Sequence, residues 1–187
     1  MTSEPELDMN ETLHAMSKQI GERLLLKGWQ MTTAESCTGG WIARCITDIA
    51  GSSQWFESGF VTYSNEAKQR MLKVPASYFD GLDASGAVSI ETITAMAKGA
   101  LAESGAQFAV ATSGIAGPGG GSDLKPVGTV WIAWAWSIER AQVKCIAKQF
   151  LFSGDREAVR IQSVEHALLG LIEVLDEQLK LHASDIN

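Results

Sequence analysis

The sequence predicts a single-domain α/β fold, a three-layer α/β/α sandwich built on a mixed β-sheet. Segments with helical periodicity alternate with short β-rich runs, as they do where helices cover both faces of a sheet. One run, 108–112, carries no charge and is typical of a central strand buried on both faces. Two further runs, 128–136 and 142–152, are joined by a segment short enough for an antiparallel hairpin, so the sheet should be mixed.

The individual elements follow from hydrophobic periodicity and from the positions of turn residues. Gly28 is well placed to end the first helix, Ser64 or Asn65 can cap a short helix, and Ser89 can cap a longer one. The expected helices cover residues 9–27, 41–46, 66–72, 89–105 and 155–181. The expected strands cover residues 29–34, 55–63, 108–112, 128–136 and 142–152.

Length and charge favour one domain and disfavour several classes of partner. The chain has 187 residues, of which 45% are hydrophobic, which is enough for one domain over 9–187 with a substantial core. Residues 1–8 form an acidic tail that we expect to be disordered. The net charge of −7 disfavours binding to nucleic acids or anionic membranes, because both need clustered Lys and Arg. A small anionic substrate would need a local basic pocket.

Cysteine, histidine and hydropathy patterns favour a soluble cytoplasmic protein without a metal site. The three cysteines form no CxxC motif, and their odd count disfavours a disulfide framework. The three histidines are scattered without a second ligand at zinc-site spacing, so neither a metal centre nor a Ser-His-Asp triad is expected. No apolar run reaches the roughly 18 residues that a membrane span requires, and the N-terminus does not resemble a signal peptide.

The polar turn Thr33-Ala34-Glu35-Ser36-Cys37-Thr38-Gly39-Gly40 is the first candidate for chemistry. It joins the first strand to the second helix, where the unpaired N–H groups and the positive end of the helix dipole suit an oxyanion or a substrate anion. We therefore interpret Ser36 as a candidate nucleophile. Ser and Thr are also ordinary helix caps and Gly is ordinary in turns, so a purely structural turn is the open alternative.

The glycine-rich loop Ser113-Gly114-Ile115-Ala116-Gly117-Pro118-Gly119-Gly120-Gly121-Ser122 is the second candidate. It follows the uncharged strand and offers backbone N–H groups without side-chain bulk, which suits a phosphate or an oxyanion. No Gly-Lys-Ser/Thr follows and no helical pattern begins directly after it, so it is neither a Walker loop nor a GxGxxG motif. A flexible connection is the alternative interpretation.

Lys68 is the candidate base for Ser36. A lysine can deprotonate a serine only if its pKa falls toward neutrality, through desolvation or nearby positive charge. Arg156 or Arg160, at the start of the last helix, could supply that charge, and Tyr63 could orient the base or relay the proton. The alternative is that Lys68 is a solvated surface residue.

Five ordered motifs give the chain a resemblance to a known family. They are Ala34-Glu35-Ser36-Cys37-Thr38-Gly39-Gly40, Val61-Thr62-Tyr63-Ser64-Asn65-Glu66-Ala67-Lys68, Gly86-Ala87-Val88-Ser89, Ser113-Gly114-Ile115-Ala116-Gly117-Pro118-Gly119-Gly120 and Lys125-Pro126-Val127-Gly128-Thr129-Val130. Over roughly residues 10–180, the chain resembles the CinA C-terminal domain family, the nicotinamide-nucleotide amidohydrolases also called PncC. The resemblance implies a compact α/β domain that uses no metal or cofactor and deamidates nicotinamide mononucleotide (NMN) to nicotinate mononucleotide and ammonia.

The resemblance also implies roles for individual residues. Ser36 resembles the nucleophile of the family, Lys68 its base, Tyr63 a supporting hydroxyl and Arg156 an active-site cation. The N–H groups of the Ser36 turn would hold the oxyanion, and the glycine-rich loop would bind phosphate or ribose, with Ser113 and Lys125 as candidate helpers. The expected substrate-binding residues are Cys37, Thr38, Gly39, Gly40, Ser113, Gly114, Gly117, Gly119 and Gly120.

The chain departs from the usual pattern of the family in two places. Ser113 stands where many members have Thr, which keeps the hydroxyl, and Glu57-Ser58-Gly59 replaces a commoner glycine pair. Ser58 could therefore alter a close backbone approach. The alternative to an active enzyme is a catalytically silent nucleotide-binding or interaction module of the same fold.

The tryptophans of the fourth strand favour a homo-oligomer. Trp131 has the opposite strand parity to Trp134 and Trp136, so aromatic surface should occur on both faces of the sheet. Helices could cover these indoles equally well.

Overall fold

A five-stranded sheet forms the centre of the computed structural model, which describes residues 9–138 and 142–184. The expected acidic tail and part of the expected hairpin connection lie outside the described residues. The strands are β1 (Met31–Glu35), β2 (Phe56–Val61), β3 (Phe108–Gly114), β4 (Thr129–Trp136) and β5 (Lys144–Leu151), in the order β2-β1-β3-β4-β5. β1 pairs in parallel with β2 and β3, whereas β4 pairs antiparallel with β3 and β5, so the expected mixed sheet is confirmed.

Helices cover both faces of this sheet. They are α1 (Met9–Leu25), α2 (Trp41–Thr47), α3 (Asn65–Leu72), α4 (Ile90–Ser104) and α5 (Arg156–Ser184). Helices α1, α2 and α5 pack on one face and α3 and α4 on the other, which is the expected three-layer α/β/α sandwich. Among the described residues, no helix is both long enough and apolar enough to cross a membrane.

Two serines cap helices as expected. The Ser64 hydroxyl accepts a hydrogen bond from the Ala67 N–H at 3.1 Å, and the Ser89 hydroxyl accepts one from the Thr92 N–H at 3.2 Å. Each cap satisfies one of the N–H groups that a helix leaves unpaired at its start. The Ser64 cap fixes the beginning of α3 within a few residues of the end of β2.

The two faces of the sheet are packed differently. The face under α1, α2 and α5 carries large apolar side chains, whereas the face under α3 and α4 carries mainly alanines from the strands. Small side chains let α4 approach the sheet and α3 closely. At Gly99 of α4, an added Cβ would lie 2.1 Å from the Leu72 carbonyl oxygen, so this contact has no room for any side chain. Helix α3 is therefore held in a fixed position against α4.

The β4 tryptophans lie on both faces, as expected, and helices cover them. Trp134 and Trp136 are 2% and 6% exposed on the α5 face, and Trp131 packs against the α4 face. The Trp134 indole donates a hydrogen bond to the Ala167 carbonyl oxygen of α5 at 2.9 Å. Because these indoles are packed within the chain, they are not a reason to expect an oligomer.

The carboxyl ends of the parallel strands meet at one edge of the sheet. Strand β1 lies between β2 and β3, with Glu35 paired to Val61 on one side and to Thr112 on the other. The residues that follow each strand are therefore neighbours in space, although they are far apart in sequence. In open α/β sheets this edge is where ligands usually bind.

Candidate active site

Ser36 follows β1 directly and lies at the bottom of a pocket of about 220 Å³. Its backbone N–H donates to the Thr112 carbonyl oxygen at 3.0 Å, which anchors the turn to β3. The Ser36 residue is only 8% exposed. The pocket is lined by Ser36, Cys37, Tyr63, Asn65, Lys68, Ala87, Val88, Ser113, Gly114, Ala116 and Arg156. The residues proposed for nucleophile, base, hydroxyl and cation thus share one cavity.

Lys68 reaches this pocket from inside the protein. The residue is 1% exposed, so the alternative of a solvated surface lysine is wrong. Its Nζ lies 3.1 Å from Ser36 Oγ, 2.9 Å from the Thr62 carbonyl oxygen and 3.2 Å from the Tyr63 carbonyl oxygen. A neutral amine can donate one hydrogen to each carbonyl and direct its lone pair at the serine hydroxyl. This geometry suits a base for Ser36.

The cause of the low lysine pKa differs from the sequence expectation. Burial lowers the pKa of Lys68 to about 8, while the electrostatic influence of Cys37 and Glu66 opposes this shift. Neither Arg156 nor Arg160 contributes to the lowered pKa of Lys68. Desolvation alone lowers it and outweighs the two opposing charges. The neighbouring thiol does not compete as a nucleophile at neutral pH, since burial raises the pKa of Cys37 to about 12.

The two arginines of α5 have different positions. The Arg156 guanidinium lines the pocket, where it donates to the Gly117 carbonyl oxygen at 2.7 Å and to the Tyr63 hydroxyl at 3.1 Å. Arg160 lies behind the turn and donates to the Cys37 and Thr38 carbonyl oxygens at 3.1 and 2.9 Å. Only Arg156 is thus placed to meet a ligand in the catalytic pocket.

Glu35 is a buried carboxylate whose role the sequence did not reveal. Glu35 directly precedes the nucleophile Ser36 in the sequence. Its carboxylate accepts hydrogen bonds from the N–H groups of Gly40, Ile42 and Ala43 at 3.0, 3.1 and 2.8 Å. The expectation that the N–H groups at the start of α2 bind an oxyanion is therefore wrong for these three, because Glu35 already occupies them. A Glu so close to a helix start was the only sequence signal for this cap.

Two N–H groups of the turn are left for an oxyanion. Within the part of the chain that the structure describes, the Cys37 and Thr38 N–H groups have no protein acceptor. Both follow Ser36 immediately, and Cys37 lines the pocket. An oxyanion formed on a group attached to Ser36 would find its donors here.

Thr38, Gly39 and Gly40 do not line the catalytic pocket. Thr38 is fully buried, and its hydroxyl donates to Glu35 at 2.7 Å and lies 2.8 Å from the Thr112 hydroxyl. Gly39 and Gly40 have φ of 64° and 93°, a region that favours glycine, and they line a separate groove. The Thr38 side chain and the two glycines therefore shape the turn and do not line the substrate pocket, and only the Thr38 N–H group remains a candidate for contact with the substrate.

The glycine-rich loop contributes only its first part to the pocket. Ser113, Gly114 and Ala116 are lining residues, and Gly117 takes part through its contact with Arg156. Gly119 and Gly120 are exposed and lie outside the pocket lining, because the loop turns outward after residue 117.

The glycine-rich loop is tied to the segment before α4. The Ser113 hydroxyl donates to the Ala87 carbonyl oxygen at 2.7 Å, and Lys125 Nζ donates to the Ser85 carbonyl oxygen at 3.0 Å. Lys125 thus has a structural contact, and it is not among the residues that line the catalytic pocket.

The structure places three pocket residues that the sequence did not single out, and it locates Ser58, where the chain departs from the family pattern. Asn65, Ala87 and Val88 line the pocket, and their only sequence signal was membership of the quoted motifs. Ser58 lies outside the pocket, where its Oγ is 3.2 Å from the Thr32 hydroxyl beside an irregularity in the β1–β2 pairing. The Ser58 departure therefore acts on the sheet rather than on the site.

Comparison with known proteins identifies the family of the chain. The model of the CinA C-terminal domain matches residues 13–175. The chain is 54% identical over 156 residues to the nicotinamide-nucleotide amidohydrolase PncC of Escherichia coli K12, covering 83% of this chain and 90% of that protein. It is 52% identical to the protein of the same name from Pseudomonas putida, over 88% of this chain and 98% of that one.

Solved structures give the same result. The competence damage-inducible protein A of Klebsiella pneumoniae MGH 78578 superposes with a TM-score of 0.79 at 40% identity, covering 88% of this chain and 97% of that one. The competence/damage inducible protein of Agrobacterium tumefaciens superposes with a TM-score of 0.79 at 40% identity, covering 94% and 99%. The chain therefore belongs to the CinA C-terminal domain family.

Proposed function

We propose that this protein is an amidohydrolase that deamidates NMN to nicotinate mononucleotide and releases ammonia. The observation that carries the proposal is the contact of 3.1 Å between Lys68 Nζ and Ser36 Oγ in a buried pocket. A buried lysine with a lowered pKa beside a serine is a recognised arrangement for activating a hydroxyl nucleophile. The names and the high identity of the curated relatives support NMN as the substrate.

The first half of the reaction forms an acyl-enzyme. Lys68 takes the proton of Ser36 as Oγ attacks the carboxamide carbon, and the carbonyl oxygen becomes an oxyanion that accepts hydrogen bonds from the Cys37 and Thr38 N–H groups. The Lys68 ammonium then returns the proton to the amide nitrogen. The C–N bond breaks, ammonia leaves, and the acyl group is an ester of Ser36.

The second half regenerates the serine. Lys68, now neutral, takes a proton from a water molecule that attacks the ester carbon, and the same N–H groups stabilise the second oxyanion. The bond to Oγ breaks, Lys68 returns a proton to Ser36, and the product leaves as nicotinate mononucleotide. One water is consumed and one ammonia is released, so the step balances without a cofactor.

Arg156 is the proposed anchor for the phosphate of the substrate. Among the described residues, no carboxylate oxygen lies within 4.0 Å of its guanidinium, so its charge is available for a ligand. Its contacts with Gly117 and Tyr63 fix the planar donor group at the pocket. A fixed guanidinium suits bidentate binding of phosphate and supplies the local positive charge that an acidic protein otherwise lacks.

An ammonia-release assay tests this function. Purified protein should release ammonia from NMN, and Ser36→Ala and Lys68→Ala should each lower kcat by about a thousandfold or more, because each removes a covalent or proton-transfer role. Lys73→Ala, which removes an exposed lysine at the end of α3, should retain full activity. Binding of NMN without turnover by the unmodified protein would instead identify a silent nucleotide-binding module and overturn the proposal.

We further propose that the protein acts in the cytoplasm as a homo-oligomer. Its three cysteines are free, which fits a reducing compartment. Exposed apolar side chains at Leu82 and Leu124 lie on the two segments that the Lys125–Ser85 contact joins, and they favour burial against another copy. Light scattering coupled to size-exclusion chromatography measures the molar mass in solution. A molar mass equal to that of one chain would contradict the proposed oligomer.

A further inference from the structure

A second groove lies behind the nucleophile turn and shares no lining residue with the catalytic pocket. Its volume is about 530 Å³, compared with about 220 Å³ for the catalytic pocket. Asn10, Trp41 and Arg44 line both this groove and a neighbouring cavity of about 230 Å³, so the two cavities adjoin. The amidase mechanism uses none of the side chains that face this space.

Two arginines give the groove a positive character. Arg160 is held in place by its hydrogen bonds to the Cys37 and Thr38 carbonyls, which leave its other N–H donors for a ligand. The Arg44 side chain is 72% exposed, and its Nε is 3.8 Å from Asp48, too far for a hydrogen bond. Among the described residues, the groove lining holds one carboxylate, Glu157, beside the two guanidinium groups, and the adjoining cavity adds Asp48.

Trp41 supplies an aromatic surface in the groove that Arg44 and Arg160 also line. Its ring is half-buried, and the Arg160 guanidinium lies 5.2 Å from the ring centroid. The indole lines both adjoining cavities, so a flat ring could stack on it while an attached anion reached the guanidinium groups. A guanidinium fixed beside an indole, with a second guanidinium on the same groove, suits a phosphate joined to an aromatic base.

We propose that this groove is a second ligand site, which binds a mononucleotide with its phosphate on Arg44 and Arg160 and its base against Trp41.

The site communicates with the catalytic turn through Arg160. The carbonyl of Cys37 and the N–H of Thr38 belong to one peptide group, and Arg160 donates to that carbonyl. Hydrogen bonds in series polarise one another, so Arg160 strengthens the Thr38 N–H as an oxyanion donor. A bound phosphate offsets the guanidinium charge and weakens this donor. Occupancy of the groove therefore inhibits turnover, a consequence that rests on the proposed amidase function, whereas the binding site itself does not.

Calorimetry with adenosine monophosphate (AMP) tests the binding site. AMP carries a phosphate and an aromatic base but no carboxamide, and the Ser36→Ala chain prevents any turnover. We expect AMP to bind this chain and Arg44→Ala to weaken its binding by about tenfold or more through loss of charged hydrogen bonds. Arg156→Ala, which removes the cation of the catalytic pocket, should leave the AMP affinity unchanged, because the two sites share no lining residue. Lys144→Ala, which removes an equal charge from the exposed end of β5, should leave the affinity unchanged.

Steady-state kinetics test the coupling in the active protein. AMP should lower kcat for NMN without changing KM, and Arg44→Ala should abolish that inhibition while retaining the activity measured without AMP. The proposal is overturned if AMP does not bind, if the Arg44→Ala protein binds AMP as tightly as the protein with Arg44, or if Arg156→Ala weakens AMP binding and Arg44→Ala does not. The calorimetric arm gives its answer even if the protein does not deamidate NMN.

Discussion

Lys68 combines full burial with three hydrogen-bond partners, and this combination sets its protonation state. Burial disfavours the ammonium, while the carbonyl oxygens of Thr62 and Tyr63 can accept hydrogens from either form. The neutral amine keeps both carbonyls satisfied and still offers a lone pair to Ser36. The backbone after β2 therefore orients the base without a third catalytic side chain.

The pH dependence of activity should follow the titration of Lys68. Because the base works only as a neutral amine, kcat/KM should rise with pH through a midpoint near about 8 and then level off. The measurement is kcat/KM for NMN from about pH 6 to about pH 10. Lys73→Ala should give the same profile. A midpoint near 10.5, the ordinary value for lysine, would contradict the assignment of Lys68 as the base.

Replacing Lys68 by methionine should abolish activity and stabilise the fold. The pKa is lowered in the folded state, so burying the charge costs stability in full below about pH 8, and this cost disappears as pH rises through 10.5. A shift from 10.5 to about 8 corresponds to about 3 kcal/mol. Loss of the two carbonyl contacts offsets part of this gain, leaving about 1–2 kcal/mol at pH 7.

Denaturant unfolding at pH 7 and at about pH 11 measures this effect, which should be smaller at the higher pH. Lys73→Met is the matched control, because its ammonium is exposed, and its stability should change by less than about 0.5 kcal/mol. A methionine variant less stable than the unsubstituted protein at pH 7 would show that the lysine contacts outweigh its desolvation.

At the scale of elements, the start of α2 is organised by one carboxylate. Helix α2 has only seven residues, and such a short helix depends on contacts beyond its own backbone. From the end of β1, Glu35 accepts hydrogen bonds from the N–H groups of Ile42 and Ala43 in α2 and from that of its N-cap, Gly40. The Thr38 hydroxyl joins the carboxylate to Thr112 of β3. Strand, turn and helix are therefore one hydrogen-bonded unit with Ser36 inside it.

Glu35→Gln should weaken this unit. The glutamine NH₂ group cannot accept hydrogen bonds, so at least one buried N–H loses its acceptor, at a cost of about 2–3 kcal/mol in stability. Displacement of the turn should lower kcat for NMN by about 10- to 100-fold and leave KM nearly unchanged. Glu57→Gln, an exposed carboxylate on β2, is the control and should alter neither quantity. Full kcat in Glu35→Gln would show that the carboxylate does not position the turn.

The extent to which sequence predicted the elements and the site has a physical explanation. Periodicity and caps located the strands and α-helices, with differences at their ends, such as β1 beginning at Met31 rather than residue 29. Two short 3-10 helices, Ser52–Gln54 and Ala76–Tyr78, were not predicted. Motifs predicted the partnership of Ser36 and Lys68, but only the adjacency of β1 and β2 brings them together. The Glu35 cap could not be predicted, because the residue is in a strand and its acceptor role depends on how the chain turns afterwards.

The two arginines of α5 also show that sequence alone does not predict which side chains reach the pocket. Arg156 and Arg160 lie one helical turn apart at the start of α5, so their positions did not separate them as sources of charge, and only the family resemblance singled out Arg156. The axial rise between them places one at the pocket and the other behind the Ser36 turn. Local sequence can indicate that an arginine lies near a site. Which side of the Ser36 turn that arginine reaches depends on the tertiary structure.

At the scale of the whole molecule, one sheet joins two different cores. The face under α5 is built from large side chains, and the face under α4 from alanines that allow close backbone approach. Along each strand, successive side chains point to opposite faces, so every strand contributes to both cores. Unfolding of one core therefore exposes the apolar side chains of the other. The two layers should therefore unfold together, as expected for one domain.

Gly99→Ala tests this cooperativity from the alanine-rich face. The added Cβ would lie 2.1 Å from the Leu72 carbonyl oxygen, so α3 and α4 must separate at a cost of about 1–3 kcal/mol. Most tryptophans belong to the opposite core, where Trp29, Trp55, Trp134 and Trp136 are buried. In one cooperative domain, tryptophan fluorescence and far-UV circular dichroism must report a single denaturant transition, with its midpoint lowered equally by both probes in the variant.

Ala102→Ser, at an exposed position of α4, is the control and should change the free energy of unfolding by less than about 0.5 kcal/mol. A fluorescence transition that stays in place while the dichroism transition moves would show that the two layers unfold independently.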